Sequence, residues 1–113
     1  MIARAKASYI RISSRKANDV MELVRGKDVR TALDLLSNLS KKASGLIRKV
    51  IQSALTNAEQ KGVDTMDTSS IVISRLVANP GPTLKRYRAA TFGRANVIRK
   101  RTTHLEVELD MKK

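Results

Sequence analysis

The sequence predicts an α+β fold, with three helices packed on a small antiparallel three-stranded sheet and a long β-hairpin protruding from it. Three observations carry this expectation. Residues 41–61 repeat apolar side chains at helical spacing over several turns. Residues 3–12, 71–78 and 105–109 place apolar side chains at or near period two, as half-buried strands do. Between the last two segments lies a strongly basic stretch, about residues 79–104, too long to fold back onto a domain of 113 residues.

Taken in order, the first strand sets Ala3, Ala5, Ala7 and Tyr9 on one face and Arg4, Lys6, Ser8 and Ile10 on the other. The small alanines let a helix pack closely, and the basic face meets solvent or phosphate. Ser13 and Ser14 then supply an N-cap. Ala17, Val20, Met21 and Val24 form one helical stripe, which Gly26 ends with a left-handed cap. Arg15 and Lys16 lie in the first turn, the wrong end for the helix dipole; such a placement fits a ligand contact or a simple solvated pair. Asp28 caps a second, short helix whose buried stripe is Val29, Ala32, Leu33, Leu36 and Leu39.

Ser40 opens the third and longest helix, about residues 41–61, with Ala43, Leu46, Ile47, Val50, Ile51, Ala54, Leu55 and Ala58 inward. Gly62 ends it. A polar loop leads to Ile71, where strand residues resume. Ile71 and Ile73 share a face, and strict alternation would next turn Arg75 toward the core. A β-bulge near Ser74 and Arg75 avoids that and returns Leu76 and Ala78 inward. The last strand alternates cleanly, with Leu105, Val107 and Leu109 on one face and Glu106 and Glu108 on the other.

The arms joining these two core strands have roughly 12 residues each. At about 3.3 Å per residue they reach about 40 Å, against a radius of gyration near 13 Å for a compact domain of this size. The hairpin must project. Gly81 and Pro82 mark the bend where it leaves the sheet, and Gly93 suits a turn or a close backbone approach. A two-stranded ribbon is marginal in water, so it is expected to be mobile when free and ordered when bound.

Charge points to the partner. The net charge is +13, and no carboxylate lies between Asp67 and Glu106. Within it, residues 79–104 hold Lys85, Arg86, Arg88, Arg94, Arg99, Lys100 and Arg101, while Arg4, Lys6, Arg11, Arg15 and Lys16 form a second cluster. Like charges gathered this way repel unless a polyanion lies against them, so nucleic acid ranks first, an anionic membrane second and an acidic protein third. Only Tyr9, Tyr87 and Phe92 are aromatic, so backbone charge and shape should outweigh base stacking. There is no cysteine, hence no disulfide and no thiolate metal site. The N-terminus lacks the apolar run of a signal peptide, and no segment approaches a membrane span. The chain reads as soluble and cytosolic, without a cofactor.

Catalysis finds no constellation. His104 is the single histidine, with no second ligand for zinc and no nucleophile partner. It reads as a phosphate or base contact, or as a structural hydrogen bonder. Asp64 and Asp67 sit in a loop, and Glu106 and Glu108 line an outer strand face. Two readings compete with a structural RNA-binding protein. One is an architectural DNA-binding protein with a β-ribbon arm and Phe92 as an apolar wedge; the other is an enzyme acting on RNA through His104.

In combination, GPTLKRYR at 81–88, GRA at 93–95 and KRTTH at 100–104 resemble the universal large-subunit ribosomal protein L-twenty-two family. YIRISSRKA at 9–17, LVRGK at 23–27 and SALTNAE at 53–59 agree in order and spacing, so the resemblance covers nearly all of residues 1–113, read as one domain. It implies a non-enzymatic constituent of the large ribosomal subunit that binds 23S-type rRNA, aids assembly and lines the nascent-peptide exit tunnel with its hairpin. The implied partners are rRNA, neighbouring ribosomal proteins and the nascent peptide, in a cytoplasmic or organellar ribosome. Lys85, Arg86 and Arg88 match the family's descending arm, Gly93, Arg94 and Ala95 its tip-side element, and Lys100, Arg101, Thr102 and His104 its returning arm. The uncharged tip, Ala89, Ala90, Thr91, Phe92 and Gly93, would face the tunnel. Asn79 and Pro80 stand where the family usually has an acidic residue, Ser14 replaces a common proline, and the tip is poorer in Arg and Pro.

Overall fold

The computed structural model describes residues 2–63, 66, 68–89 and 95–111. Its elements are β1 (Ala3–Ile10), α1 (Ser14–Met21), α2 (Val29–Asn38), α3 (Lys42–Gln60), β2 (Ile71–Pro80), β3 (Leu84–Ala89), β4 (Ala95–Lys100) and β5 (Thr103–Met111). A 3-10 turn at Thr68–Ser70 precedes β2. The main sheet has the order β1–β5–β2, antiparallel throughout, and β3 and β4 pair as a separate two-stranded ribbon.

β5 is central, so both of its edges are paired and its alternation is the cleanest. Thr103, Leu105, Val107 and Leu109 are buried, and the residues between them are partly exposed. α3 lies across the inner face of β1 and β5. Ala3 and Ala5, both buried, provide the small side chains that this close packing needs. Ile47 and Ile51 on α3 are fully enclosed; burying each contributes about 1.5–3 kcal/mol. α2 packs on α3, while α1 packs on β2 and α3. Met21, Leu36, Ile71 and Ile73 complete the largest buried group.

The predicted bulge is present. Ile73 pairs with Leu109 and Arg75 with Glu108, leaving Ser74 as the extra residue. The Ser74 hydroxyl donates to the Glu108 carbonyl (3.1 Å). Leu76 and Ala78 return to the core, and Arg75 turns outward. The free edge of β2 is covered from the α1–α2 connection. The Ile73 N–H donates to the Lys27 carbonyl (3.0 Å). Arg25 donates through Nε to the Leu76 carbonyl (2.9 Å) and through its terminal nitrogen to Asn18 Oδ1 (2.8 Å). Such cover blunts an edge that would otherwise template pairing.

Three local expectations are corrected. Alternation in β1 stops early, because register breaks between Ala7 and Ile10 and Tyr9 takes φ +58. Tyr9 therefore points into solvent, and Ile10, expected on the outer face, packs against the core. α1 ends at Met21, a turn sooner than the apolar stripe suggests; a series of tight turns carries Val24 inward and reaches Gly26 at φ +76. The N-cap of α3 is Lys41, not Ser40, and it makes no side-chain capping bond. The caps of the other two helices are as expected, with Ser13 Oγ accepting from the Lys16 N–H (3.3 Å) and Asp28 Oδ2 from the Thr31 N–H (3.1 Å).

The ribbon runs in register from Leu84↔Lys100 to Ala89↔Ala95. It joins the sheet through residues 81–83 and 101–102, where the Gly81 N–H donates to the Thr102 carbonyl (2.9 Å) and the Thr102 hydroxyl to the Pro82 carbonyl. The radius of gyration is 17.0 Å and the long axis 62 Å, well beyond the roughly 13 Å radius of a compact domain of this length.

Candidate nucleic-acid interface

Three chain segments converge beside the root of the ribbon. After β1 the chain turns, with the Ile12 N–H donating to the Ile10 carbonyl (2.9 Å), and the buried Thr103 hydroxyl of β5 donates to the Ile12 carbonyl. That pins Arg11 and the start of α1 against the ribbon's returning arm. α3 begins alongside, and Lys42 Nζ reaches the Arg11 carbonyl (3.3 Å). The outcome is an open groove of about 940 Å³ lined by Arg11, Ile12, Ser13, Lys16, Asp19, Lys41, Lys42, Ala43, Lys100 and Arg101.

Six of those side chains are cationic and one, Asp19, is anionic. The groove therefore unites part of the N-terminal basic cluster with the base of the hairpin cluster. α3 adds to it in a second way. Its first N–H groups have no side-chain cap, and the positive end of its dipole opens beside Lys41 and Lys42. Instead of capping, the Ser44 hydroxyl donates backward to the carbonyls of Leu39 and Lys41. This concentration of positive charge suits phosphate, because Arg and Lys side chains and open N–H groups all bind its oxygens.

Lys41 and Lys42 were not among the sequence candidates. The signal existed, since two lysines at a helix start oppose the dipole as Arg15 and Lys16 do. What hid them was distance along the chain, because nothing in the sequence says that residue 42 lies against residue 11.

Other candidates fall elsewhere. Arg4 and Lys6 are exposed on the outer sheet face, with Glu108 and Glu106 as their cross-strand partners. Arg75 lies on that face too, 3.9 Å from Glu106 and 3.8 Å from Glu108. The outer face is thus mixed in charge, and the N-terminal basic cluster divides between it and the groove. Arg15 is exposed on α1 but does not line the groove. A second groove of about 450 Å³ follows the ribbon's root, lined by Ser14, Pro80, Gly81, Thr83, Lys85, Arg101 and Thr102. Arg101 belongs to both. Along the ribbon, register sets Lys85 opposite Arg99, Arg86 opposite Ile98 and Arg88 opposite Asn96. Ala89 closes β3 opposite Ala95; Ala90, Thr91, Phe92, Gly93 and Arg94 lie outside the described residues.

His104 is a hinge pin of the ribbon's root. Its Nδ1 accepts the Tyr9 N–H (3.1 Å), and the two rings meet edge to face with centroids 4.8 Å apart. A Cβ on Gly81 would stand 2.7 Å from Thr102 Oγ1 and 3.2 Å from His104 Nε2. That close approach leaves no room for a side chain at position 81. Among the described residues, no three His, Cys, Asp or Glu side chains gather as a metal site, and no helix is long and apolar enough to cross a membrane.

Comparison with known proteins finds relatives along the whole chain. Residues 5–110 match the family model described as ribosomal protein L22p/L17e. The chain is 45% identical over 113 residues to the large ribosomal subunit protein uL22 of Halothermothrix orenii, covering all of this chain and 98% of that protein. Identity to the uL22 of Clostridioides difficile is 47% over 113 residues, the whole of both chains. For that of Bdellovibrio bacteriovorus it is 43% over 112 residues, with 99% and 100% coverage.

Proposed function

The chain belongs to the ribosomal protein L22p/L17e family, whose members are structural proteins and not enzymes, and from that premise we propose how it serves the large ribosomal subunit. Residues 1–113 act as one unit that binds large-subunit rRNA, and the groove at the ribbon's root grips the RNA backbone. The observation that carries this reading is the gathering of six cations and one carboxylate from the β1–α1 connection, α1, the cap and first turn of α3, the end of β4 and the β4–β5 connection. Each cation that meets a phosphate releases a counterion, so the affinity is electrostatic and salt-dependent. Arg11 and Arg101 hold phosphate in a bidentate manner and fix position, whereas the lysines act as point charges.

The ribbon extends this grip away from the sheet. Lys85, Arg86 and Arg88 on one arm, and Arg94, Arg99, Lys100 and Arg101 on the other, take rRNA phosphates along its length. The uncharged segment from Ala89 to Gly93 faces the nascent peptide in the exit tunnel. rRNA and neighbouring ribosomal proteins are its lasting partners, and the protein works in the cytoplasmic ribosome, where it helps rRNA fold during assembly.

The test is twofold. The tagged protein should remain with large subunits through a high-salt wash and sedimentation, and the purified protein should prefer deproteinised large-subunit rRNA to duplex DNA of equal length. Loss from the subunit, or equal affinity for duplex DNA, would overturn the reading.

A further inference from the structure

Tyr9 is held in a conformation that bulky L residues rarely adopt, with φ +58 at the point where β1 loses register with β5. That backbone turns the ring outward, leaving Tyr9 64% exposed although the chain has only three aromatic residues. His104 fixes it from two sides, accepting its N–H and meeting its ring edge to face at 87°. His104 is itself lodged over Gly81, which with Lys85 and Arg101 lines the second groove. The ring is therefore oriented beside His104 at the ribbon's root, one residue removed from the glycine that lines the second groove.

In the free protein the His104 contacts hold the strained residue, yet most of its ring stays in water. Backbone strain held by its surroundings is typical of binding sites. The adjoining Ser8 and Arg11 are exposed and polar, so the ring is not the centre of an apolar docking patch. A single flat, preoriented ring suits a nucleobase, because every base offers a π-face and stacking tolerates any sequence.

We propose that Tyr9 is a stacking platform for one unpaired nucleobase of the rRNA. The inference rests on the RNA-binding reading above and adds a contact that charge alone would not supply. It is tested by titrating the full chain with deproteinised large-subunit rRNA. Tyr9→Ala should weaken binding by about 5- to 150-fold, the effect of losing one stacked base, with the salt slope unchanged because no charge is removed. Tyr9→Phe should bind like the unaltered protein. A second readout does not depend on how well Tyr9→Ala folds. In a Tyr87→Phe background Tyr9 is the sole tyrosine and the chain has no tryptophan. Its emission should be quenched by rRNA more strongly than that of free N-acetyltyrosinamide at the same RNA concentration. Unchanged affinity in a Tyr9→Ala protein of normal melting temperature, or absence of that extra quenching, would overturn the stacking role. Failure of the unaltered protein to bind rRNA would instead remove the RNA-binding reading, and the platform with it.

Discussion

Replacing Lys41 and Lys42 by alanine should weaken RNA binding while making the protein more stable, and this opposition separates a binding role from a structural one. Both lysines stand at the uncapped start of α3 and line the groove with four further cations. If each of the six meets one phosphate, the slope of log affinity against log salt contributed by the groove is about −4 to −5, at ~0.7–0.9 per contact. Between 50 and 200 mM salt the affinity would then fall roughly 300- to 2,000-fold. Without the two lysines the slope drops to about −3 to −3.5, and the same change in salt costs only about 50- to 140-fold. Stability moves the other way. Two cations leave the wrong end of a helix dipole, each worth ~0.3–1 kcal/mol at low salt, and alanine is the stronger helix former. The bond from Lys42 Nζ to the Arg11 carbonyl is exposed, so its loss offsets little of that gain. The assay pairs filter binding to deproteinised large-subunit rRNA at several salt concentrations with thermal melting of the free protein. A double variant with an unchanged slope would refute the assignment of phosphates to this end of α3. One that melts lower would show that the lysines hold the fold together.

Three further outcomes are expected. Gly81→Ala should destabilise by about 1–3 kcal/mol through overpacking against Thr102 and His104, or about 4 °C or more in melting temperature. Adding Thr102→Ala removes the nearest obstructing atom, so the double variant should lose less than the sum of the singles; strict additivity would mean that the two residues do not meet. Arg25→Met should cost about 1–3 kcal/mol, because it uncovers the Leu76 carbonyl at the β2 edge and frees Asn18; a melting temperature within 1–2 °C (roughly 0.5 kcal/mol or less) of the unaltered protein would show that this edge needs no cover. In brief digestion of the free protein, trypsin should cut β3 after Lys85, Arg86 or Arg88 before it cuts α3, since among the described residues β3 pairs only with β4. Bound rRNA should suppress those cuts, and equal cutting with and without rRNA would argue against a grip along the ribbon.

The elements and their order were legible in the chain itself. The stripe from Ala43 to Ala58 declared α3, period two declared β5, and the turn of Arg75 toward the core predicted the Ser74 bulge. These are local signals, set by helical or strand periodicity and by the cost of burying a charge. The partner class was legible as well, because a net charge of +13 and an acid-free interval are properties of composition. Motif order from 9–17 to 100–104 pointed to the family that the comparisons establish.

What only the tertiary structure decided concerns which residues become neighbours. Periodicity sorts side chains onto faces but carries no information about distant partners. Hence Arg4 and Lys6 look like part of one basic cluster in the sequence and lie across from Glu108 and Glu106 in the sheet. Lys41 and Lys42 look like ordinary solvated residues and complete the groove. Tyr9 looks like the next inward residue of an alternating strand. It turns outward because β1 must leave β5 there, and His104, 95 residues away, supplies the acceptor that holds the bend. The sequence determined the parts and their charge; the meeting of β1, α3 and the ribbon's root determined where that charge converges.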